Sequence, residues 1–568
     1  MLCTGCSRFT RGLQPRFWKL GEPGPSCLVR SQSTVQSNRP LKIAIIGAGP
    51  SGFYTASRIL SLLPSESDKG KNVQIHVYER LPTPYGLVRY GVAPDHPEVK
   101  NCQHKFDELA SDARFKYFGN VSVGSQSSSS PTEISPRSTL SSYTYPHALH
   151  ISLSSLLPYY STVIFTYGAS LSNPLSNVPG SSSSLTPLDG VFPALALVGW
   201  YNGHPAFSRL SETVRSIVSS SAAENVAVIG QGNVALDVAR ILLKPLSELA
   251  KTDLPEPVLE VLSESKVKRV SVVGRRGPGQ VAFTTKEFRE MLKLPGVRYS
   301  GLGSLDPDLL LKARDGVEHD RPRKRLLGLM ETGSTGQGEK EFSLEFLRSP
   351  KAFQANSTGS AAVASVGWMV NELLDPPEAS PAPPSSQTSV VPPTSPSQPI
   401  ARPTTSTVTT SAGLVIESVG YRSEPLGVGE EHVLPFDVVK GRARNVSGRL
   451  VNDEGTVIPG LYAAGWVARG PVGVIASTMN DAYRLSSLVL DDHFGHSSTV
   501  PPMPGTIGAN SLPEHGVPEP VERGLRDGSV ISLDRWHKID QAEVERGRRL
   551  GKEREKFINV EDMLAAAQ

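Results

Sequence analysis

The chain has little cysteine: 4 residues in 568, three of which, Cys3, Cys6 and Cys27, stand near the N-terminus. At most one thiol, Cys102, is left for a folded body, which excludes a disulfide framework and any redox-active Cys-x-x-C pair inside the fold. No charge of one sign dominates. Lys and Arg total 58 against 55 Asp and Glu, a formal net charge of +3, so the total makes no demand for a nucleic-acid partner. Long apolar runs are also missing. The longest candidate, Val191 to Tyr201, is too short to span a bilayer and contains Pro193. What remains is a chain long enough for more than one domain.

Its strongest signal is LKIAIIGAGPSGFYTASRIL, Leu41 to Leu60. Ile43 to Ile46 suits a strand buried on both faces. Gly47, Gly49 and Gly52 follow in the order G-x-G-x-x-G, and a helix-compatible run comes next. In that context the glycines serve a tight turn, close approach of a pyrophosphate and close helix packing, and the helix N-terminus faces the phosphates. A second apolar strand, Val73 to Tyr78, ends in Glu79. A carboxylate there accepts from ribose hydroxyls and repels a 2′-phosphate, so this site suits FAD or NAD.

A second unit begins at Glu224, ENVAVIGQGNVALDVARILL. Val226 to Ile229 reads as its strand and Val234 to Leu243 as its helix. Gly230, Gly232 and Ala235 keep the turn and phosphate-approach glycines. The next strand, Arg269 to Val273, ends in Gly274-Arg275-Arg276 rather than an acid. Two guanidiniums at a ribose position bind a 2′-phosphate by charge-assisted hydrogen bonds, so this site prefers NADP(H). A third glycine-preceded helix start follows Gly465-Trp466 and Gly470-Pro471-Val472-Gly473. It can hold an anionic group against backbone N–H groups.

The intervening segments read more plainly. The first forty residues carry Arg8, Arg11, Arg16, Lys19 and Arg30 against one acid, Glu22, and lack a secretory apolar core; this is the composition of a mitochondrial presequence, with a disordered basic tail as the alternative. Pro82 to Asn101 reads as an ordered Gly/Pro loop carrying Arg89, Asp95 and His96. Phe115 to Val123 and Ser161 to Tyr167 read as strands. Gly124 to about Tyr145 is a Ser-rich insertion, and about Asp375 to Ala412 is a Pro/Ser/Thr segment expected to be disordered. Phe283 to Leu292 reads as a helix with Lys286, Glu287 and Arg289. Arg321, Arg323, Lys324 and Arg325 form a dense basic cluster, either a solvated run or a docking patch for an acidic protein. Ala542 to Lys556 reads as an amphipathic, charge-dense surface helix.

The stretches GAGPSGFYTA, YGLVRYGVAPDHPEVKN, VGWYNG, GQGNVALDVARILL, VGRRGPGQVAFTTKEFREM, PRKRLL, FLRSP and GWVARGPVGVIASTMND resemble the mitochondrial adrenodoxin reductases, ferredoxin–NADP reductases of the adrenodoxin type. The resemblance runs from about Leu41 to the C-terminus. The departures are the Ser-rich insertion, the Pro/Ser/Thr segment, and Gly279 where the family more often has an apolar residue.

The resemblance implies an α/β fold of two Rossmann-like dinucleotide-binding domains, the NADP domain inserted in the FAD domain. The expected boundaries are 1–40 presequence, 41–167 first FAD segment, 168–412 NADP domain and 413–568 second FAD segment. It implies FAD contacts at Ala48, Glu79, Leu87, Val123, Trp466, Gly473, Val474 and Ile475. NADP contacts are implied at Gln231, Gly232, Asn233, Val234, Arg275, Arg276, Glu287 and Gly473. His96 and Glu287 match positions linked to catalysis or nicotinamide placement. Arg289, Arg321 and Arg325 match residues that meet an acidic 2Fe–2S ferredoxin.

The implied activity is NADPH:ferredoxin oxidoreduction in the mitochondrial matrix, with a peripheral inner-membrane association left open and no metal site expected. Flavin joins a two-electron donor to a one-electron acceptor. The rivals are an NADPH-oxidising flavoprotein with another acceptor and an NADP(H)-binding regulatory protein. Reductases of the thioredoxin or glutathione kind would need a Cys pair in the fold. A glutamate-synthase-like input subunit would bring cysteine clusters.

Overall fold

The computed structural model describes residues 40–124, 145–334, 338–356, 361–374, 399–428, 433–473, 475–495 and 515–568. Residues 1–39 of the expected presequence, most of the Ser-rich insertion, residues 375–398 of the Pro/Ser/Thr segment, and Val474 lie outside the described residues.

The fold is α/β, with two Rossmann-like units, the second inserted in the first. The first is a seven-stranded sheet that draws strands from both ends of the chain. Leu41–Ile46 pairs in parallel with Val73–Tyr78 on one side and Thr162–Phe165 on the other. Phe115–Phe118 and Val457–Ala463 extend it in parallel. Leu41–Ile46 is buried at every position: the apolar run Ile43 to Ile46 suits a strand covered on both faces, and buried Lys42 donates through Nζ to Gly516 O at 2.5 Å. One face packs against the first dinucleotide helix, Pro50–Leu62, and against Trp536 and Ile539 of the Leu533–Arg549 helix.

The second unit is a six-stranded sheet in which every pairing is parallel. At its centre Asn225–Ile229 lies between Arg269–Val273 and Leu414–Glu417. Helices cover one face. The other face is covered by a three-stranded antiparallel sheet, Arg348–Ala355, Val363–Leu374 and Ile400–Ser411. Fully buried Val366 and Trp368 press from that sheet onto Ala227, Ile229, Val273 and Val415.

Several sequence expectations need correction. Ile400–Ser411, read as disordered, is an edge strand paired antiparallel with Val363–Leu374. Its Pro and Ser suggested disorder by composition, but Thr404, Thr405, Thr407, Val408, Thr409 and Thr410 are β-branched and suit a pleated edge. The boundary after residue 412 also moves. Leu414–Glu417 belongs to the second sheet, and the chain crosses between units where Leu171–Ser172 pairs antiparallel with Tyr421–Arg422.

Pro82 to Asn101 is not wholly loop, since it holds two single-turn helices, Leu87–Tyr90 and Pro97–Lys100. Charges at the C-terminus do not all lie on a surface. Glu543, Glu555 and Lys556 are buried, and Glu543 receives Arg89 at 2.5 Å and Arg554 at 3.0 Å. Those partners lie outside the helix or far away in sequence, so an amphipathic pattern could not reveal them. Among the described residues no helix is long and apolar enough to cross a membrane.

Candidate functional site: two dinucleotide cradles and the seam between them

The first cradle sits at the end of Leu41–Ile46. Gly47 turns with φ +107°, and a Cβ there would stand 2.5 Å from the Tyr167 backbone. Gly49 caps the Pro50–Leu62 helix in extended conformation, without a side-chain cap. A Cβ on Gly49 would meet nothing within 4 Å, whereas one on Gly52 would lie 2.3 Å from Gly47 O. Open space thus faces the helix N-terminus, where a pyrophosphate meets free N–H groups. Buried Ser51 in the same first turn has a hydroxyl with no hydrogen-bond partner among the described residues.

Glu79 accepts from Ala48 N at 2.8 Å and Leu81 N at 3.2 Å. Burial raises its pKa, while those N–H groups and Arg80 work the other way. Gly86 approaches Gly49 closely, with a built Cβ 3.3 Å from Gly49 Cα, and so brings Leu87 beside the cradle. A buried hydroxyl without a partner, an open glycine face and a carboxylate at the strand end fit an FAD adenosine diphosphate.

A second helix start joins this cradle. The Ile475–Phe494 helix packs along Pro50–Leu62, and Ser486 Oγ donates to Thr55 O. Gly465 N donates to Asp481 at 2.7 Å, and a Cβ on Gly465 would meet Ser51 Oγ at 2.8 Å. Trp466 opens the Trp466–Arg469 helix with its ring 6.2 Å from that of Tyr421. Gly473 is exposed with φ +90°, two residues before Ile475, where the next helix starts. Val123 is buried in the core behind this region.

The second cradle repeats the first. Gly230 turns with φ +117°, where a Cβ would stand 2.1 Å from Ser418 O, and Gly232 again faces open space. Gly232 caps the second dinucleotide helix, Asn233–Leu243. The Gln231 side chain turns inward and donates to Glu345 O at 3.0 Å. Asn233 Oδ1 accepts from Thr284 N at 2.8 Å, tying the helix start to the next helix, Thr285–Leu292. Val234 packs against the core.

Arg275 is exposed at the end of Arg269–Val273, and the Arg276 guanidinium stands close to it. Arg276 is held below its ordinary pKa by burial, then by Arg275 and Arg323. The like charge that Arg275 brings to a half-buried Arg276 suits a phosphate. Arg323, whose charge is felt at Arg276, also pairs with Asp320 at 3.4 Å.

The two units meet at a carboxylate cluster. His96, on the segment after Val73–Tyr78, bonds through Nε2 to Glu290 and lies 3.9 Å from Glu287. A ring nitrogen of His96 and a carboxylate oxygen each of Asp237 and Glu287 all fall within 4.8 Å of one another. Burial pushes Asp237 and Glu287 upward, and for Glu287 the Asp237 charge adds to it. Asp237, Arg240 and Glu290 were missed from the sequence. A signal existed: NVALDVARILL places two charges three residues apart in an otherwise apolar helix, and a buried charge needs partners.

Arg289, Arg321 and Arg325 lie on packed helices, Thr285–Leu292 and Arg321–Thr332. Arg321 and Arg325 are exposed, one turn apart, and make no ion pair among the described residues. Arg289 is half-buried.

No protein-family model matches the chain. It is 37% identical over 545 residues to "NADPH:adrenodoxin oxidoreductase, mitochondrial" of Drosophila melanogaster, covering 94% of this chain and 95% of that one. It is 36% identical over 535 residues to the human protein of the same name, covering 92% and 91%. Among solved structures, Mycobacterium tuberculosis FprA in complex with NADPH matches with a TM-score of 0.71 at 30% identity, covering 93% of this chain and 100% of that one.

Proposed function

Because this chain belongs to the NADPH:adrenodoxin oxidoreductase family, we propose that it delivers electrons from NADPH to an acidic 2Fe–2S ferredoxin in the mitochondrial matrix. It is an FAD-dependent enzyme that binds NADP(H). When bound, FAD supplies hydride acceptance and one-electron release. The chain's own residues bind and orient. Glu79 and the Gly49 face hold the unphosphorylated adenosine half of FAD. Trp466, Gly473 and Ile475 frame its other end, and Val123 and Leu87 support its walls. Arg275 and Arg276 select the 2′-phosphate of NADPH, with Gly232, Gln231, Asn233 and Val234 beneath its pyrophosphate. His96, with Glu287 and Glu290, can hold a proton at Nε2 where the two cofactors meet.

One observation carries the acceptor: the exposed Arg321 and Arg325, free of ion pairs among the described residues, on a helix packed against the one that carries Glu287 and Glu290. Such a face steers an acidic protein toward the site. The matrix location is supported by the word "mitochondrial" in the relatives' names and by the Arg-rich, acid-poor first forty residues.

The test is NADPH-driven cytochrome c reduction with and without a mitochondrial 2Fe–2S ferredoxin, with NADH in parallel. Ferredoxin dependence with NADPH preference is expected. Charge reversal at Arg321 and Arg325 should raise the ferredoxin KM and flatten its salt dependence. An unchanged KM and salt response would remove the docking face, and ferredoxin-independent turnover would remove the acceptor.

A further inference from the structure

Arg240 is a guanidinium with only 1% of its side chain exposed, surrounded by carboxylates from both units. Its Nε donates to Asp95 Oδ2 at 2.8 Å and its Nη2 to Asp95 Oδ1 at 3.1 Å, a two-pronged bond. The same Nη2 reaches Asp237 at 2.8 Å. Its Nη1 lies 3.4 Å from Glu287 and 3.7 Å from Glu290. Asp95 belongs to the first unit, directly before His96. Asp237 is on the second dinucleotide helix, and both glutamates are on Thr285–Leu292. One side chain therefore touches every element that places His96 against Glu290.

We propose that Arg240 is a positioning residue for hydride transfer: its fork clamps the Asp95–His96 segment onto the two helices of the NADP unit and fixes where His96 meets Glu290. The proposal rests on the reading that His96 and Glu290 stand where the two cofactors meet. A planar fork holds a carboxylate in one orientation, which an ammonium does not. Lys244, at 2.9 Å from Asp95, adds charge but no orientation. Alignment at a reacting centre is steep: a misplacement of about 1 Å can cost roughly a hundredfold in rate.

The electrostatics agree with the geometry. Burial opposes the Arg240 charge, but Asp95, Asp237 and Glu287 outweigh it. Asp95 is held well below the carboxylate range because Arg240 and then Lys244 outweigh its burial. Asp95, Asp237, Glu287 and Glu290 face Arg240 and Lys244, with His96, Glu98 and Lys286 at the edge and the Tyr201 and Tyr421 hydroxyls nearby. Negative charge is in excess. Removing the guanidinium would make the remaining acids hold protons to higher pH, so the pH profile of flavin reduction would move to the alkaline side.

The experiment compares holoenzymes carrying Arg240→Lys, Arg240→Gln, Asp95→Asn and Glu290→Gln. Anaerobic stopped-flow bleaching of the flavin by NADPH is followed across pH, with hydrogen–deuterium exchange over residues 94–101. Arg240→Lys should slow flavin reduction by about tenfold or more, on the scale of that alignment cost, with an NADPH Kd near that of the unmodified enzyme. It should keep the pH profile in place and raise exchange in 94–101. Arg240→Gln should slow reduction further and shift the profile upward. Asp95→Asn should repeat the loss of rate.

Unchanged rate and exchange in Arg240→Lys and Asp95→Asn would overturn the clamp. If Glu290→Gln alone is slow, the site reading stands and the clamp falls. If Glu290→Gln is as fast as the unmodified enzyme, the site reading itself falls. If no Arg240 or Asp95 variant yields folded flavoprotein, the group determines folding and the positioning role falls.

Discussion

At the scale of single residues the two cradles separate what folding needs from what binding needs. Gly47 is required by the chain: its φ of +107° and a Cβ 2.5 Å from Tyr167 backbone leave no room for a side chain. Gly49 is in extended conformation and a side chain there would meet only open space, so the chain alone tolerates one. Gly47→Ala should therefore fail to fold or melt far below the unmodified protein. Gly49→Val should keep the melting temperature of the FAD-free protein and yet purify without flavin. Melting curves and absorbance near 450 nm check both. Bound flavin in Gly49→Val would mean that the pyrophosphate lies elsewhere. Arg276 makes a second case. Replacing it with Leu removes charge-assisted bonds worth about 1.5–3 kcal/mol, so the NADPH KM should rise about ten- to hundredfold. Turnover with NADH should change little, because NADH has no 2′-phosphate. Steady-state kinetics with both nucleotides reads this, and equal losses with the two would refute the selectivity role.

Among the elements, the C-terminal segment that leaves the Leu533–Arg549 helix acts as a strap between the units. Lys556 is buried and donates to Asn202 O at 3.0 Å and Arg89 O at 3.4 Å, with Asp253 at 3.0 Å. Burial, then Lys100 and Arg89, lower its pKa to about 7 against the pull of Asp253. An unfolded lysine titrates near ~10.4. Between those values the unfolded chain holds the proton more tightly, so stability rises with pH from about 7 toward about 10. Lys556→Met loses this gain and leaves two carbonyls without their donor, a cost of about 1–3 kcal/mol each. The gap in melting temperature between the two proteins should widen over that range, and a gap flat with pH would exclude Lys556 as the titrating group. The same strap shows what a sequence can and cannot reveal. The strand Leu41–Ile46, its helix and the Arg269–Val273 strand were legible because the apolar runs, glycine turns and end residues are local. The burial of Lys556 was not, because Asn202, Arg89 and Asp253 lie hundreds of residues away. The Arg240 cluster stayed hidden for the same reason, and Ile400–Ser411 because composition spoke louder than its β-branched residues.

For the molecule as a whole, charge must be read as a distribution. A formal net charge of +3 on 568 residues gives little general attraction for an acidic protein, and at ~0.1 M salt screening acts within about 10 Å. Any steering of ferredoxin has to come from a local face. Reversing Arg321 and Arg325 to Glu moves the formal net charge from +3 to −1, since each reversal subtracts two. Reversing Arg548 and Arg549 makes the same change elsewhere, at side chains 73% exposed that neighbour Glu545 on the Leu533–Arg549 helix. Patch-driven association predicts that the first pair lowers the ferredoxin on-rate by about tenfold or more at low salt. It also predicts that the second pair changes it by no more than about twofold. Stopped-flow electron transfer to ferredoxin at several ionic strengths reads both rates. Equal losses in the two variants would show that net charge does the steering, which would leave Arg321 and Arg325 as ordinary solvated residues. Unchanged rates in both would place the ferredoxin on another face of the molecule, and the helix Arg321–Thr332 would carry no docking role.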